Sequence, residues 1–323
     1  MELIETKTES LINNPIDDKL LKVLYSFISG KSYNTGFTYR IGIQQFIDFL
    51  GGDHNNILDV EPFTIIQFKK YLLQNHSIST TASRLSAVSS MYRYLIKNEM
   101  IDKNPVLMID RGDLKVNPYE RSKTLSMDQF NRILRCIPAT EVGVRDRIIF
   151  QMIYISGLRR SVILNLTGSD IHFVNEKVFY RVKLKGGSFT TKELPTPIWK
   201  QIQNYLESEN RKLKDDQCIF LPTKDCGDHL LRYHERKRKS KGLSPEVLNQ
   251  NLKRYGKYAG VNDISIHSLR HLGASMYYEL SKDILETMNF LNHKNINTTQ
   301  VYLQSLTGEE HNQWKGMINR IEL

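Results

Sequence analysis

The sequence is short of several things, and each shortage narrows what the protein can be. Only three cysteines, Cys136, Cys218 and Cys226, stand among 323 residues. An odd number without metal-ligand spacing speaks against a disulfide scaffold and a zinc site, and fits thiols kept in a reducing compartment. No uninterrupted apolar run reaches the roughly 18–20 residues that a membrane span requires. The opening Met1-Glu2-Leu3-Ile4-Glu5 is acidic, where a secretory signal would be basic and then apolar. A cytoplasmic protein with no membrane partner is expected. A glycine-rich phosphate loop is missing too: Gly186-Gly187 lacks the Walker pattern, and nothing points to ATP. Long-period repeats and low-complexity tracts are absent. Acid is in deficit, with 35 Asp and Glu against 45 Lys and Arg, a net charge of +10. Such an excess favours a polyanionic partner through phosphate contacts and counterion release. Charge alone discriminates weakly.

What is present fits an ordinary globular chain, 40 % hydrophobic and 25 % charged, and long enough for two cores. Residues 1–15 are a polar tail ending at Asn13-Asn14-Pro15. Over 16–106 the spacing predicts four amphipathic helices in a small bundle. The first carries Leu20, Leu21, Leu24 and Phe27 behind Asp17 or Asp18 as cap, and ends at Gly30. The second carries Phe37, Ile41, Phe46, Phe49 and Leu50 and stops at Gly51-Gly52. The third runs from about Pro62 to Gln74. The fourth, capped within Ser79-Thr80-Thr81, extends to Lys97 with Leu85, Val88, Met91, Tyr92 and Leu95 inward. Thr80, Thr81, Arg84 and Ser86 then fall outside the apolar stripe, as a solvated face or as contacts to DNA phosphates. Residues 107–124 read as a linker, broken by Asn117-Pro118 and made basic by Lys115, Arg121 and Lys123, as a strap across a duplex would be.

The second domain, 125–323, opens with Ser126 as a helix cap. Arg145 to Tyr154 is a strongly apolar, buried helix ending at Ser156-Gly157, with Arg159 and Arg160 just beyond. Val178, Tyr180, Val182 and Leu184 alternate with polar residues up to Gly186-Gly187, and the chain returns through Phe189 to Leu194: a β-hairpin. The fold class is therefore mainly α with a small β-sheet. Residues 228–241 gather eight basic residues, Arg236, Lys237 and Arg238 at their centre, as a solvated run or a loop tracking phosphates.

The chemistry concentrates between Ile264 and Gln304. His267-Ser268-Leu269-Arg270-His271 is followed by Leu291-Asn292-His293 and then Thr298-Thr299-Gln300-Val301-Tyr302. On a helix His267 and Arg270 share a face. An imidazole beside a guanidinium suits a phosphate, one as a donor titrating near neutrality, the other as a planar fork of donors. A second histidine and a tyrosine follow without a carboxylate cluster. That set fits phosphoryl transfer onto a tyrosine hydroxyl with neither metal nor cofactor. Taken singly, each residue is more often structural.

These blocks, with Gly157-Leu158-Arg159-Arg160-Ser161 ahead of them, resemble those of the tyrosine recombinases, the lambda-integrase and Xer-type family, in the family's order and separation. The resemblance spans roughly residues 20–310. It implies a four-helix core-binding (SAM-like) domain and a catalytic domain that close as a C-shaped clamp on DNA. It also implies six catalytic residues: Arg159, Lys185, His267, Arg270, His293 and the nucleophile Tyr302. Lys185 sits at the hairpin tip, with Lys183 and Lys192 as competitors. Arg160 is expected to face solvent or DNA. Implied partners are double-stranded DNA with an inverted-repeat core site and further copies of the chain, a dimer per site and a tetramer in synapsis. Trp314, Met317, Ile318 and Ile321 would form a tail helix docking on a neighbouring protomer, or packing on its own domain.

Three positions depart from the pattern. Val162 stands where an acid is frequent, Asn292 where glycine is usual, and Gly273 where a larger residue is common, an exchange expected to loosen packing. Two other readings share the residues: a DNA-binding regulator with a vestigial site, and a type IB topoisomerase. A covalent adduct on nicked DNA separates the first from an enzyme. The Xer-like first domain and modest length count against the second. Whether the chain resolves chromosome dimers, integrates a virus or moves a transposon is not written in its motifs.

Overall fold

The computed structural model describes residues 15–114, 125–184, 187–222 and 242–292. It divides into two compact units, Met1–Asn117 and Pro118–Leu323. In the first, α1 (Pro15–Ser29), α2 (Tyr33–Phe49), α3 (Pro62–Asn75) and α4 (Ile78–Lys97) are the four expected helices. They close on Leu20, Phe46, Phe68, Leu85, Val88, Met91 and Tyr92, all within 1 % of full burial. The rings of Phe46 and Phe68 meet at 4.8 Å.

Two expectations change here. The cap of α4 is Ser77, whose hydroxyl accepts from the Thr80 amide, so the helix starts earlier than Ser79. Thr81 is therefore one turn before Leu85 on the apolar stripe and is fully buried; its side chain has no route to DNA. The stretch 107–114 is not a free linker either. Val106 and Leu114 join the first core. Lys69 donates to the Asp110 carbonyl at 3.0 Å and pairs with Asp113 at 2.6 Å. Arg111 donates to the Ser86 hydroxyl.

The second unit begins with α5 (Met127–Cys136), where Ser126 and Gln129 close a reciprocal capping box. Then come α6 (Glu141–Ser156), the short α7 (Arg160–Leu164) and an antiparallel sheet in the order β1 (Ile171–Val174), β2 (Lys177–Lys183), β3 (Phe189–Leu194). Helices α8 (Thr196–Ser208), α9 (Pro245–Tyr258), α10 (Ile266–Ser281) and α11 (Ile284–Phe290) follow. Ile148, Ile149, Phe150, Met152 and Ile153 make α6 the centre of the core, against α8 and α10. The hairpin buries Val178, Tyr180 and Val182, as the alternation predicts.

Inside α6, Arg145 and Asp146 are both fully buried and paired at 2.7 Å. Arg145 also donates to the Leu221 carbonyl at 3.0 Å. Asp146 accepts from Asn251 at 2.7 Å and from the Tyr255 hydroxyl at 3.2 Å, so the pair ties α6 to α9. Burial and the Asp146 charge push the Tyr255 phenol up to about 12. Cys136 and Cys218 are free thiols. Among the described residues no group of side chains could hold a metal ion, and no helix is long and apolar enough to cross a membrane.

Candidate active site

The first motif is built by a helix end. α6 stops at Gly157, whose φ of 62° is left-handed and whose amide donates to Ile153 at 3.1 Å. Leu158 is then buried at 1 % exposure, its amide held by the Ser156 hydroxyl. That anchor turns the next two side chains outward, and Arg159 and Arg160 are both exposed at the start of α7. Val162, without a carboxylate to offer, packs against the core instead.

The second motif sits on α10, capped by Ser265 and Ser268 in a reciprocal pair. The Ile266 amide also donates to Asn249. Ile266, Leu269 and Leu272 face the core. Three residues after Arg270, Gly273 meets the end of α6: a methyl group placed there would overlap the carbonyl oxygen of Tyr154. The glycine thus tightens this packing rather than loosening it, because only its missing side chain lets the two backbones touch. It sets how far α10 stands from the turn carrying Arg159.

Arg270 is 2 % exposed, and its Nη2 donates to the Leu291 carbonyl at 2.9 Å. The rings of His267 and His271 meet edge to face at 4.6 Å. Desolvation and then the charges of Arg270, Arg159 and Arg160 hold the His267 imidazole below the usual histidine value. Its surface remains open to solvent, so the desolvation comes from crowding by neighbouring groups rather than full enclosure. Three guanidinium groups from segments a hundred residues apart thus bear on one imidazole. Arg159 and Arg270 lie close enough for their charges to reach His267.

Of the competing lysines, Lys183 is exposed on the outer face of β2. Lys192 lies opposite Tyr180 on the inner face. Its Nζ donates to the Phe290 carbonyl at 2.9 Å, and burial together with Arg270 pushes its pKa down to about 8. Asn292 takes φ 52°, the left-handed conformation its side chain tolerates in place of glycine. Arg84 donates to the Thr38 carbonyl at 3.3 Å and lies along Gly42 of α2, while Thr80 is partly exposed at the start of α4. Lys185, His293, Tyr302, Lys115, Arg121, Arg236, Lys237, Arg238 and the tail helix beyond residue 303 lie outside the described residues.

The Phage integrase family matches residues 123–309, and the N-terminal SAM-like domain of phage integrases matches residues 25–99. The chain belongs to the phage integrase family. The chain is 29 % identical to tyrosine recombinase XerA of Pyrococcus furiosus over 281 residues, 86 % of each chain. It is 30 % identical to tyrosine recombinase XerC of Chlamydia trachomatis serovar L2 over 262 residues, 77 % of each chain. Among solved structures, the fold of the chain is similar to XerH bound to difH in a post-cleavage complex, with a TM-score of 0.68, 17 % identity and coverage of 92 % and 94 %. A lambda integrase dimer on its COC' core site gives 0.67, 17 %, 91 % and 96 %. A lambda integrase tetramer on a Holliday junction gives 0.65, 16 %, 93 % and 80 %.

Motif spacing singles out Arg159, Arg270 and His267, which the fold places where the two arginine charges reach the imidazole. It misses the inner-face placement of Lys192, although the alternation Thr190, Lys192, Leu194 opposite Val182, Tyr180, Val178 carried the signal.

Proposed function

We propose that this integrase-family chain is a site-specific DNA recombinase of the tyrosine class, breaking and rejoining DNA without metal or cofactor. The observation that carries the reading is the cationic cluster at His267, where Arg270, Arg159 and Arg160 from two distant segments bear on one imidazole. A phosphodiester answers such a cluster, because its non-bridging oxygens repel a nucleophile until donors draw off their charge.

Arg159 and Arg270 form the clamp on those oxygens. Tyr302 attacks the phosphorus, forming a 3′-phosphotyrosyl bond as the bond to the 5′ oxygen breaks. Lys185 protonates that oxygen, which leaves as a 5′-hydroxyl. His267 takes the tyrosine proton, and His293 donates to a phosphate oxygen. The covalent link conserves the bond's free energy, and a 5′-hydroxyl from another strand reverses the step and completes the exchange.

Arg160, Thr80 and Arg84, with Lys115, Arg121 and the run Arg236-Lys237-Arg238, supply phosphate contacts. Two copies bind an inverted-repeat site, and a tetramer carries strands through a Holliday junction, as the DNA-bound lambda integrase assemblies suggest. A nicked duplex carrying the chain's own binding site, selected from random sequence, tests this. Wild type should trap a covalent adduct, and Tyr302→Phe none. An adduct-free wild type that still binds DNA means a binding protein with a vestigial site.

A further inference from the structure

Lysine is rare on the core side of a strand, since its ammonium must keep water or find a partner. Lys192 is such a lysine. In β3 it lies opposite Tyr180, between Thr190 opposite Val182 and Leu194 opposite Val178, so it shares the face of the buried row of β2. Its flanking residues Thr191 and Glu193 point to solvent. An apolar residue would fill this register with less desolvation, unless the ammonium holds something.

It holds the end of α11. The last carbonyls of a helix have no partner within it. Here two successive ones are taken by cations from different elements: Lys192 donates to the Phe290 carbonyl at 2.9 Å and Arg270 to that of Leu291 at 2.9 Å. The Lys192 ammonium also stands 4.6 Å from the centre of the Phe290 ring. That ring stacks on Tyr277 of α10, centroids 4.5 Å apart and planes 9° from parallel. Its edge covers Gly157, where a methyl group would overlap it. One phenyl ring therefore meets the Lys192 ammonium of β3, the helix of His267 and Arg270, and the turn that presents Arg159.

We infer that Lys192 and Phe290 form a positioning latch, which locks the Phe290–Asn292 turn against the Gly157 turn and so sets Arg159 and Arg270 at the spacing a single phosphate requires. The inference rests on the function proposed above and adds a residue to it. Lys192 acts through Phe290 and Arg270, not on the leaving oxygen, and is a positioning residue.

The full chain is tested as Lys192→Met, Lys192→Arg and Phe290→Leu. Readouts are DNA affinity, single-turnover cleavage of the nicked duplex, and hydrogen exchange at the Leu291 and Asn292 amides. Those amides donate to Thr287 and Asn289. Lys192→Met and Phe290→Leu should slow cleavage ~100-fold, the loss expected of a 1 Å misplacement. Affinity should stay within about threefold and the two amides should exchange at least about tenfold faster, with Lys192→Arg restoring most of both. A 5′-bridging phosphorothiolate, whose thiol leaves without protonation, separates the roles. It should leave the Lys192→Met deficit in place. Full rescue by that substrate, unchanged exchange in both Lys192→Met and Phe290→Leu, or cleavage within about threefold of wild type overturns the latch. A wild type that forms no adduct defeats the function instead, and the exchange measurement then decides the latch alone.

Discussion

Gly273→Ala is the sharpest probe of how the fold sets the site. The added methyl would overlap the Tyr154 carbonyl oxygen, with further backbone atoms of Tyr154 close behind. Non-bonded atoms rest near 3.5 Å apart, so relief needs α10 and the end of α6 to separate by roughly 1 Å. Overpacking of that kind costs about 1–3 kcal/mol. In a chain of this size that lowers Tm by a few degrees, ~2–4 °C per kcal/mol. The larger effect falls on chemistry. Arg270 lies one turn before Gly273 and Arg159 three residues after Ser156, so the displacement enters their separation almost undiluted. A 1 Å error in catalytic geometry costs on the order of 100-fold. Single-turnover cleavage of the nicked duplex at saturating protein measures it, with differential scanning calorimetry alongside. A folded Gly273→Ala protein that keeps both wild-type Tm and wild-type cleavage would refute the claim that this contact sets the arginine spacing.

Other predictions follow from the same geometry. In DNA-free protein His267 should titrate below an ordinary histidine, because burial and three arginines disfavour its charged form. A bound phosphate neutralises those charges, so adding DNA should raise the midpoint, read from its imidazole NMR signals; an unmoved midpoint would place the phosphate elsewhere. Lys192, pushed down to about 8 from 10.5, makes its protonated form unfavourable in the folded state. Below pH 8 that penalty is constant, and between 8 and 10.5 the unfolded chain binds more protons. Denaturant titrations should therefore show this lysine's contribution rising with pH across that window, by at most about 3 kcal/mol, and Lys192→Met should abolish that rise. Asp146→Ala strips the buried Arg145 of its carboxylate and should destabilise the second unit by about 3–5 kcal/mol. Replacing Arg145 and Asp146 together by apolar residues should cost less; an equal or larger loss would contradict the pairing argument.

Much of the site was legible because each motif is local. Gly157 before Arg159, the three-residue step from His267 to Arg270 and the alternation of β2 are short-range patterns, and the structure keeps them. The Ser126 capping box could be read directly from Ser-x-x-Gln. Failures came where a distant partner decides. Thr81 looked polar and therefore outward, yet its helical phase with Leu85 and Val88 assigns it to the core. Residues 107–114 looked like linker because they lack periodicity, but Leu114 finds a pocket in the first unit and Lys69 fastens the backbone beside it. Gly273 looked like a loss of packing, since the Tyr154 carbonyl it admits lies more than a hundred residues earlier. Lys192 was weighed only as a rival for the hairpin-tip lysine, because its link to Phe290 spans ninety-eight positions.

The most direct measurement identifies the residue left on DNA. Wild-type protein is trapped on a nicked duplex, digested with protease and nuclease, and the nucleotide-bearing peptide is sequenced by mass spectrometry. The account predicts a single 3′-phosphotyrosyl linkage at Tyr302, lost when either Arg159 or Arg270 is replaced by alanine. A linkage at another of the sixteen tyrosines, or one that survives loss of both arginines, would contradict it.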